Sequence, residues 1–372
     1  MPQQRICVIG GGPAGLAAAL EGARLGLKVD LLERNRIGAN IRCAEGFYDS
    51  LRLLGKPRAG LRFKVQEAVL KVQREYKVDC RKIDLWMIDR SEWQRSLADQ
   101  AWEAGARILE NMRVTVDTLR DLQREYDWII DSSGVPSVTS LLYGFRDYYR
   151  RYGAVTAQYV VEGDFSKLGE RLKFVLFPYY AGYYWIFPKG RDATGRETAN
   201  VGIGYFPSKR GREKRGDILW EELNNVLERE KIEGKIIRRL GGLAPVKLRE
   251  QLRYGNILLV GDAAGCASPL HGGGIDTAYV TGQLAARWIA SSREYDFSHE
   301  VWRLLRRKLE VEERLCRLWE RLDADTLDHF AGLIARDYRS IGIGWFATHI
   351  RMLLGNLGTG IRFRSGLLKG KW

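Results

Sequence analysis

Six residues, Gly10-Gly11-Gly12-Pro13-Ala14-Gly15, constrain this chain more than any others. They fit G-x-G-x-x-G and sit between a short apolar run, 5–10 (RICVIG), and a stretch rich in helix formers, 13–25 (PAGLAAALEGARL). Gly26 suits the helix C-terminus, and 28–33 (KVDLLE) alternates into a second strand. Strand, turn, helix and strand within about thirty residues is the order of a parallel βαβ unit. In such a unit Gly10 permits the tight turn, Gly12 lets the backbone approach a pyrophosphate, and Gly15 allows close helix–strand contact. Pro13 and Ala14 open the helix, whose free N–H groups favour an anion. Glu33, with Arg34 beside it, ends the second strand. A carboxylate there hydrogen-bonds ribose hydroxyls and disfavours a 2′-phosphate. The unit predicts a bound dinucleotide.

Composition narrows the rest. A chain of 372 residues, 45% hydrophobic and 28% charged, is an ordinary globular protein with room for a large core. Its five cysteines (Cys7, Cys43, Cys80, Cys266, Cys316) are widely and irregularly spaced. Without a C-x-x-C pair, a zinc ribbon or a cysteine-ligated iron–sulfur cluster has no ligands, and no metal is expected. Reduced thiols, no signal-peptide pattern at the N-terminus and no long uncharged apolar run lead us to expect a cytoplasmic protein that spans no membrane. The closest approach to a span, 341–361, carries His349 and Arg351 and suits a membrane surface better.

Further elements follow from local pattern. Runs at 67–73, 75–80 and 84–89 read as strands, and 91–104 as a helix beginning at the N-cap-like Ser91. A strand over 127–134 ends at a small-residue turn. Residues 153–206 are strand-rich and aromatic, with turns at Gly163-Asp164 and Ala181-Gly182. A helix is expected over 217–230, a strand over 256–260, a helix over 274–290, and a largely helical, basic remainder from 297.

The far end of the chain selects the dinucleotide. Leu258-Leu259-Val260-Gly261-Asp262-Ala263-Ala264-Gly265 resembles the second FAD fingerprint of the glutathione-reductase-type flavoproteins. That resemblance implies FAD as cofactor, with Asp262, after Gly261, on a ribityl hydroxyl. His271-Gly272-Gly273-Gly274-Ile275 opens another helix, whose amides at Gly273, Gly274 and Ile275 are expected to face the flavin N1/O2 edge. Asp131-Ser132-Ser133-Gly134 resembles the small-residue turn near FAD in these folds, which brings Gly134 to the cofactor. Arg90 matches a cofactor-proximal arginine of related flavoproteins, or serves as a surface residue at the helix start.

Tyr183, Trp185, Phe187, Pro188 and Lys189 match Y-x-W-x-F-P-K, and Asn200-Val201-Gly202-Ile203-Gly204 matches the N-V-G-x-G strand that follows it. Both resemble the geranylgeranyl reductase family. Arg42-Cys43-Ala44-Glu45-Gly46 resembles that family's C-G-x-G loop beside the flavin, with Ala44 in place of the more usual glycine. The resemblance runs from residue 1 to about 290. It implies an α/β fold: a Rossmann-type FAD-binding domain, an inserted antiparallel β-sheet substrate domain and a helical C-terminal region. The expected division is 1–66 with 84–150 and 240–291 for FAD, 67–83 with 151–239 for substrate, and 292–372 for the basic C-terminal region. The implied activity is FAD-dependent reduction of isoprenoid carbon–carbon double bonds in a geranylgeranyl lipid, diphosphate or quinone tail.

The residues also make sense of that chemistry. Tyr183, Trp185 and Phe187 alternate onto one strand face as an apolar wall, and each methylene buried there is worth about 0.8 kcal/mol. Lys189 either meets an anionic headgroup or caps the strand. Alkene reduction needs a hydride from flavin N5 and a proton from an acid, for which Cys43, Glu45 and His271 are candidates. No second Rossmann motif is present, so ferredoxin, a deazaflavin or NAD(P)H is the expected electron donor.

A net charge of +14 favours anionic partners. The excess concentrates at Lys209, Arg210, Arg212, Lys214 and Arg215, and after Asp337, where Arg339, Arg351, Arg362, Arg364, Lys369 and Lys371 follow without an acidic residue. An anionic membrane surface is the expected partner. With no recognisable nucleic-acid module, nucleic acid is not. An aromatic hydroxylase, a quinone-linked dehydrogenase and a non-catalytic, flavin-containing lipid-binding protein are the alternatives.

Overall fold

The computed structural model describes residues 3–191, 195–207, 216–291 and 295–337. The basic clusters at 209–215 and beyond 337, and the segment 341–361, lie outside the described residues. Strand β1 (Arg5–Ile9), helix α1 (Pro13–Arg24) and strand β2 (Lys28–Leu32) form the expected right-hand start of a parallel sheet. The sheet has six strands. Trp128–Asp131 and then Ile257–Leu259 lie on one side of β1, β2 and then Arg107–Leu109 on the other, and Arg253–Tyr254 forms an antiparallel edge. Cys7, Val8, Ile129, Ile130, Leu258 and Leu259 are fully buried, as strands covered on both faces must be.

A seven-stranded sheet is built from 67–79 and 153–245. Its order is Gly234–Pro245, Gly153–Gly163, Glu197–Tyr205, Gly182–Arg191, Leu172–Leu176, Glu67–Lys71, Glu75–Asp79. All neighbours are antiparallel except Leu172–Leu176 and Glu67–Lys71, which are parallel. Alternation splits its two faces. Tyr159, Tyr184, Ile186, Val201 and Ile203 pack under Leu219, Leu223 and Val226 of the helix Asp217–Arg229. Trp185 and Phe187 point the other way, with Phe63, Val65 and Met87 of the region that forms a small third sheet, Gly46–Tyr48, Leu85–Ile88 and Leu61–Lys64.

Three details depart from the sequence reading. The helix Arg90–Glu103 is capped by Asp89, whose carboxylate accepts the Glu92 N–H, so Ser91 lies in the first turn and is not the N-cap. A carboxylate at that end also meets the helix dipole, which a serine hydroxyl does not. The strand Gly234–Pro245 pairs along its length with Gly153–Gly163, so a boundary between 239 and 240 would cut a strand. The short helices Val138–Leu142 and Asp147–Tyr152 had no counterpart.

Beyond the parallel sheet, Phe297–Trp319 buries Phe297, Val301, Leu305 and Leu309 at four-residue spacing. Ala324–Asp337 then docks on the hairpin 67–79. No helix of the described residues is long and apolar enough to cross a membrane.

Candidate cofactor and substrate site

A cleft of about 990 Å³ lies between the parallel sheet and the inner face of the seven-stranded sheet. Two helix N-termini meet on it, those of α1 and Ile275–Ala290. A Cβ on Gly282 would run into the Ala14 carbonyl, so this glycine lets the second helix lie directly on the first. The glycine turn is equally tight. A Cβ on Gly10, at φ +102°, would lie 2.6 Å from the Ser132 carbonyl oxygen, and one on Gly15 would overlap the Gly10 carbonyl. Gly12 instead faces open space, with nothing within 4 Å of a Cβ. The α1 N-terminus has no side-chain cap and no acidic residue in its first turn, leaving its amides to an anion.

Of the expected cofactor residues, Gly10, Gly12, Pro13, Ala14, Glu33, Arg34, Arg42, Cys43, Ala44, Arg90, Gly134, Asp262, Gly273, Gly274 and Ile275 line this cleft. Gly15 and Gly261 do not; they shape its floor, Gly261 at φ +57° against Ala14 and Ala278. Glu33 accepts the Gly11 N–H at 2.6 Å and the Asn35 N–H at 2.9 Å, which fixes its carboxylate beside the turn. Asp262 opens into the cleft; the surrounding walls raise its pKa by desolvation, against the pull of Arg90. Gln94 was not foreseen. It joins the Arg90 Nε (2.8 Å) to the Gly11 carbonyl (3.1 Å) and so ties the helix Arg90–Glu103 to the glycine turn.

Past Cys43 the cleft becomes apolar. Tyr183, Trp185 and Phe187 line it together with Leu70, Leu172, Phe174 and Ile334. Consecutive ring centroids along the strand are 5.6 and 6.3 Å apart, and Phe174 packs edge-on to Phe187 at 4.9 Å. The N-V-G-x-G glycines explain themselves here. A Cβ on Gly202 would fall inside the Trp185 indole, and one on Gly204 would touch it at 3.5 Å. The Tyr183 hydroxyl donates to the His271 carbonyl (2.7 Å), pinning the aromatic strand to the second glycine loop.

The proton-donor candidates separate. Glu45 is buried, ion-paired to Lys189 at 2.6 Å and bonded to Asn200 and the Arg90 N–H, so both its oxygens are already engaged. The same pair shows that Lys189 points at Glu45; it does not line the cleft. Cys43 lines the cleft and is the one cysteine that is not buried. His271 also lines it. Its Nδ1 accepts the Gly273 N–H (3.2 Å), so the ring proton sits on Nε2, which is buried with no partner among the described residues. Desolvation lowers its pKa and keeps the ring neutral.

Comparison with known proteins agrees with this geometry. Residues 4–101 match the family model described as pyridine nucleotide-disulphide oxidoreductase. A digeranylgeranylglycerophospholipid reductase of Methanocella arvoryzae is 31% identical over 345 residues, 83% of this chain and 83% of that protein. The chain belongs to the geranylgeranyl reductase family of FAD-dependent oxidoreductases. A second member, the digeranylgeranylglycerophospholipid reductase of Methanosarcina acetivorans, is 31% identical over 314 residues, 75% of this chain and 73% of that one. Among solved structures, a geranylgeranyl bacteriochlorophyll reductase-like protein of Thermoplasma acidophilum covers 95% of this chain and 98% of its own at a TM-score of 0.73 and 21% identity. A flavin-dependent halogenase shares the fold at a TM-score of 0.62 and 20% identity, covering 95% of this chain and 70% of its own. As a geranylgeranyl reductase family member the chain is an oxidoreductase with FAD as cofactor. Its own residues fit that cofactor: a side-chain-free turn, uncapped helix amides, and Asp262 open to the cleft.

Proposed function

We propose that this protein reduces isoprenoid carbon–carbon double bonds of a lipid bearing geranylgeranyl-type chains, working at an anionic membrane surface. The observation that carries the reading is the continuity of one cleft from the glycine turns into an apolar lobe walled by Tyr183, Trp185, Phe187 and Phe174. Burying an isoprenoid chain there contributes about 0.8 kcal/mol per methylene and excludes water from the reacting carbons. The similar archaeal proteins named digeranylgeranylglycerophospholipid reductase support the same substrate class.

Bound flavin supplies the hydride. The α1 amides would hold its diphosphate, Glu33 a ribose, Asp262 the ribityl chain, and the amides of Gly273 to Ile275 the flavin ring. Arg34, Arg42 and Arg90 neutralise charge around it. The second hydrogen arrives as a proton, which the Cys43 thiol delivers to the other carbon as it becomes a thiolate. Electrons come from a separate carrier of the ferredoxin, deazaflavin or NAD(P)H type.

Extraction of the purified protein for flavin and lipid, followed by mass spectrometry, tests the reading. We expect FAD together with an isoprenoid lipid. FAD accompanied only by a small aromatic compound would sink it in favour of a hydroxylase.

A further inference from the structure

The loop Arg42–Gly46 stands where the cofactor end of the cleft meets the apolar lobe, and three strands of the seven-stranded sheet hold it. Lys189 Nζ lies 2.6 Å from Glu45 Oε2. Asn200 Nδ2 donates to the same oxygen (3.1 Å) and to the Ala44 carbonyl (2.9 Å). Gln158 Nε2 donates to the Cys43 carbonyl (3.1 Å) while its own oxygen accepts the Trp185 indole N–H (3.2 Å). From the other side, the Arg90 N–H reaches Glu45 Oε1 (3.2 Å) and the Ile88 N–H reaches the Glu45 carbonyl (3.1 Å). Glu45 itself has φ +65°, a left-handed conformation that costs a non-glycine residue about 1 kcal/mol and persists only where surroundings enforce it. Its N–H points to Cys43 Sγ at 3.2 Å.

We infer that Lys189, Asn200 and Gln158 are positioning residues. They clamp Cys43, Ala44 and Glu45 so that the Cys43 sulfur and Ala44 form a fixed side of the cleft where its cofactor end opens into the apolar lobe, and Lys189 binds no substrate headgroup. The turnover part of this inference rests on the proposed reductase activity; the loop geometry does not.

A clamp and a headgroup site respond differently to substitution. Removing Lys189 strands a carboxylate that is 7% exposed, whereas removing the Glu45 charge leaves a lysine that is 21% exposed and long enough to reach water. Lys189→Met is therefore the harmful change, Glu45→Gln the mild one, and the double variant relieves the stranded charge. Glu45→Gln keeps one oxygen, which can accept from the Asn200 amide or from the Arg90 N–H but not from both.

The experiment uses the FAD-loaded full chain and measures the rate at which iodoacetamide alkylates Cys43, the other four cysteines being buried. Turnover and KM for a geranylgeranyl phospholipid are followed in parallel. We expect Lys189→Met to change the alkylation rate and lower kcat by about tenfold each, the effect of about 1.4 kcal/mol of coupling. The Lys189→Met/Glu45→Gln double variant and Lys189→Arg should return to within about threefold of the parent, with KM unchanged throughout. A raised KM in Lys189→Met, with parental alkylation and no rescue by Glu45→Gln, would assign Lys189 to the headgroup and overturn the clamp. If the chain reduces no isoprenoid, the alkylation series still decides, since it involves no lipid.

Discussion

Gly202 lacks a side chain because the Trp185 indole fills that space, and Trp185 in turn holds Gln158 over the Cys43 carbonyl. Single residues thus define the chemistry available at the junction of flavin pocket and lobe. Glu45 is committed to Lys189 and Asn200, which leaves Cys43 and His271 of the three donor candidates. Cys43 is the stronger donor candidate, since the His271 ring is neutral, its Nδ1 accepts the Gly273 N–H, and giving up the Nε2 proton would leave an imidazolate. Loss of a general acid costs about 100-fold or more. Cys43→Ala should therefore lower turnover by about 100-fold while flavin photoreduction is unchanged, and His271→Gln by less than about tenfold. The reverse order in single-turnover rates would give the role to the imidazole. Because burial lowers the His271 pKa, the ring keeps this proton arrangement across neutral pH. Activity should fall in acid, where a second ring proton displaces the Gly273 N–H.

At the scale of elements, the helix Ala324–Asp337 is fastened to the seven-stranded sheet chiefly through Asp328, with Asp325 accepting the Gln73 side-chain amide at 2.9 Å. Asp328 accepts the backbone N–H groups of Gln73 and Arg74, the Arg74 Nε–H and the Tyr76 hydroxyl, all between 2.7 and 3.1 Å. Burial alone would raise its pKa, but these donors outweigh it and hold the carboxyl at about 2. A folded-state value below the ordinary 3.8 means that the stabilisation is complete above pH 3.8 and fades as pH falls towards 2. Asp328→Asn should lower the melting temperature near neutrality, and the gap to the parent should close through that acid window. A gap that stays constant with pH would contradict the assignment.

The sequence made some of these elements plain and hid others for physical reasons. β1, α1 and β2 were legible because glycine spacing, helix-forming residues and strand alternation coincide there. Tyr183, Trp185 and Phe187 were legible as one face because strand periodicity places them so. Gln158 and Asn200 were not, since they act on a loop 115 and 155 residues away and only the fold brings them there. Lys189 was visible as a motif residue, but its partner Glu45 lies on a loop far away in sequence, which left headgroup contact and strand capping equally open. The strands Gly46–Tyr48 and Leu61–Lys64 were too short to show a period.

Across the whole molecule, two sheets share one cleft, with glycine turns, helix amides and carboxylates at one end and an aromatic wall at the other. On the proposed function, the net charge of +14 draws the protein to an anionic membrane that holds its lipid substrate. Vesicles rich in anionic lipid should sediment with the protein at low ionic strength and release it as salt rises. Equal binding to neutral vesicles would argue against electrostatic recruitment. The most direct measurement is anaerobic: photoreduced, FAD-loaded protein is mixed with a geranylgeranyl phospholipid, and flavin absorbance and lipid mass are followed together. Reoxidation of the flavin with a gain of two hydrogens per reduced double bond is the result expected. Flavin that stays reduced beside unaltered lipid, and reoxidises only when oxygen enters, would contradict the account.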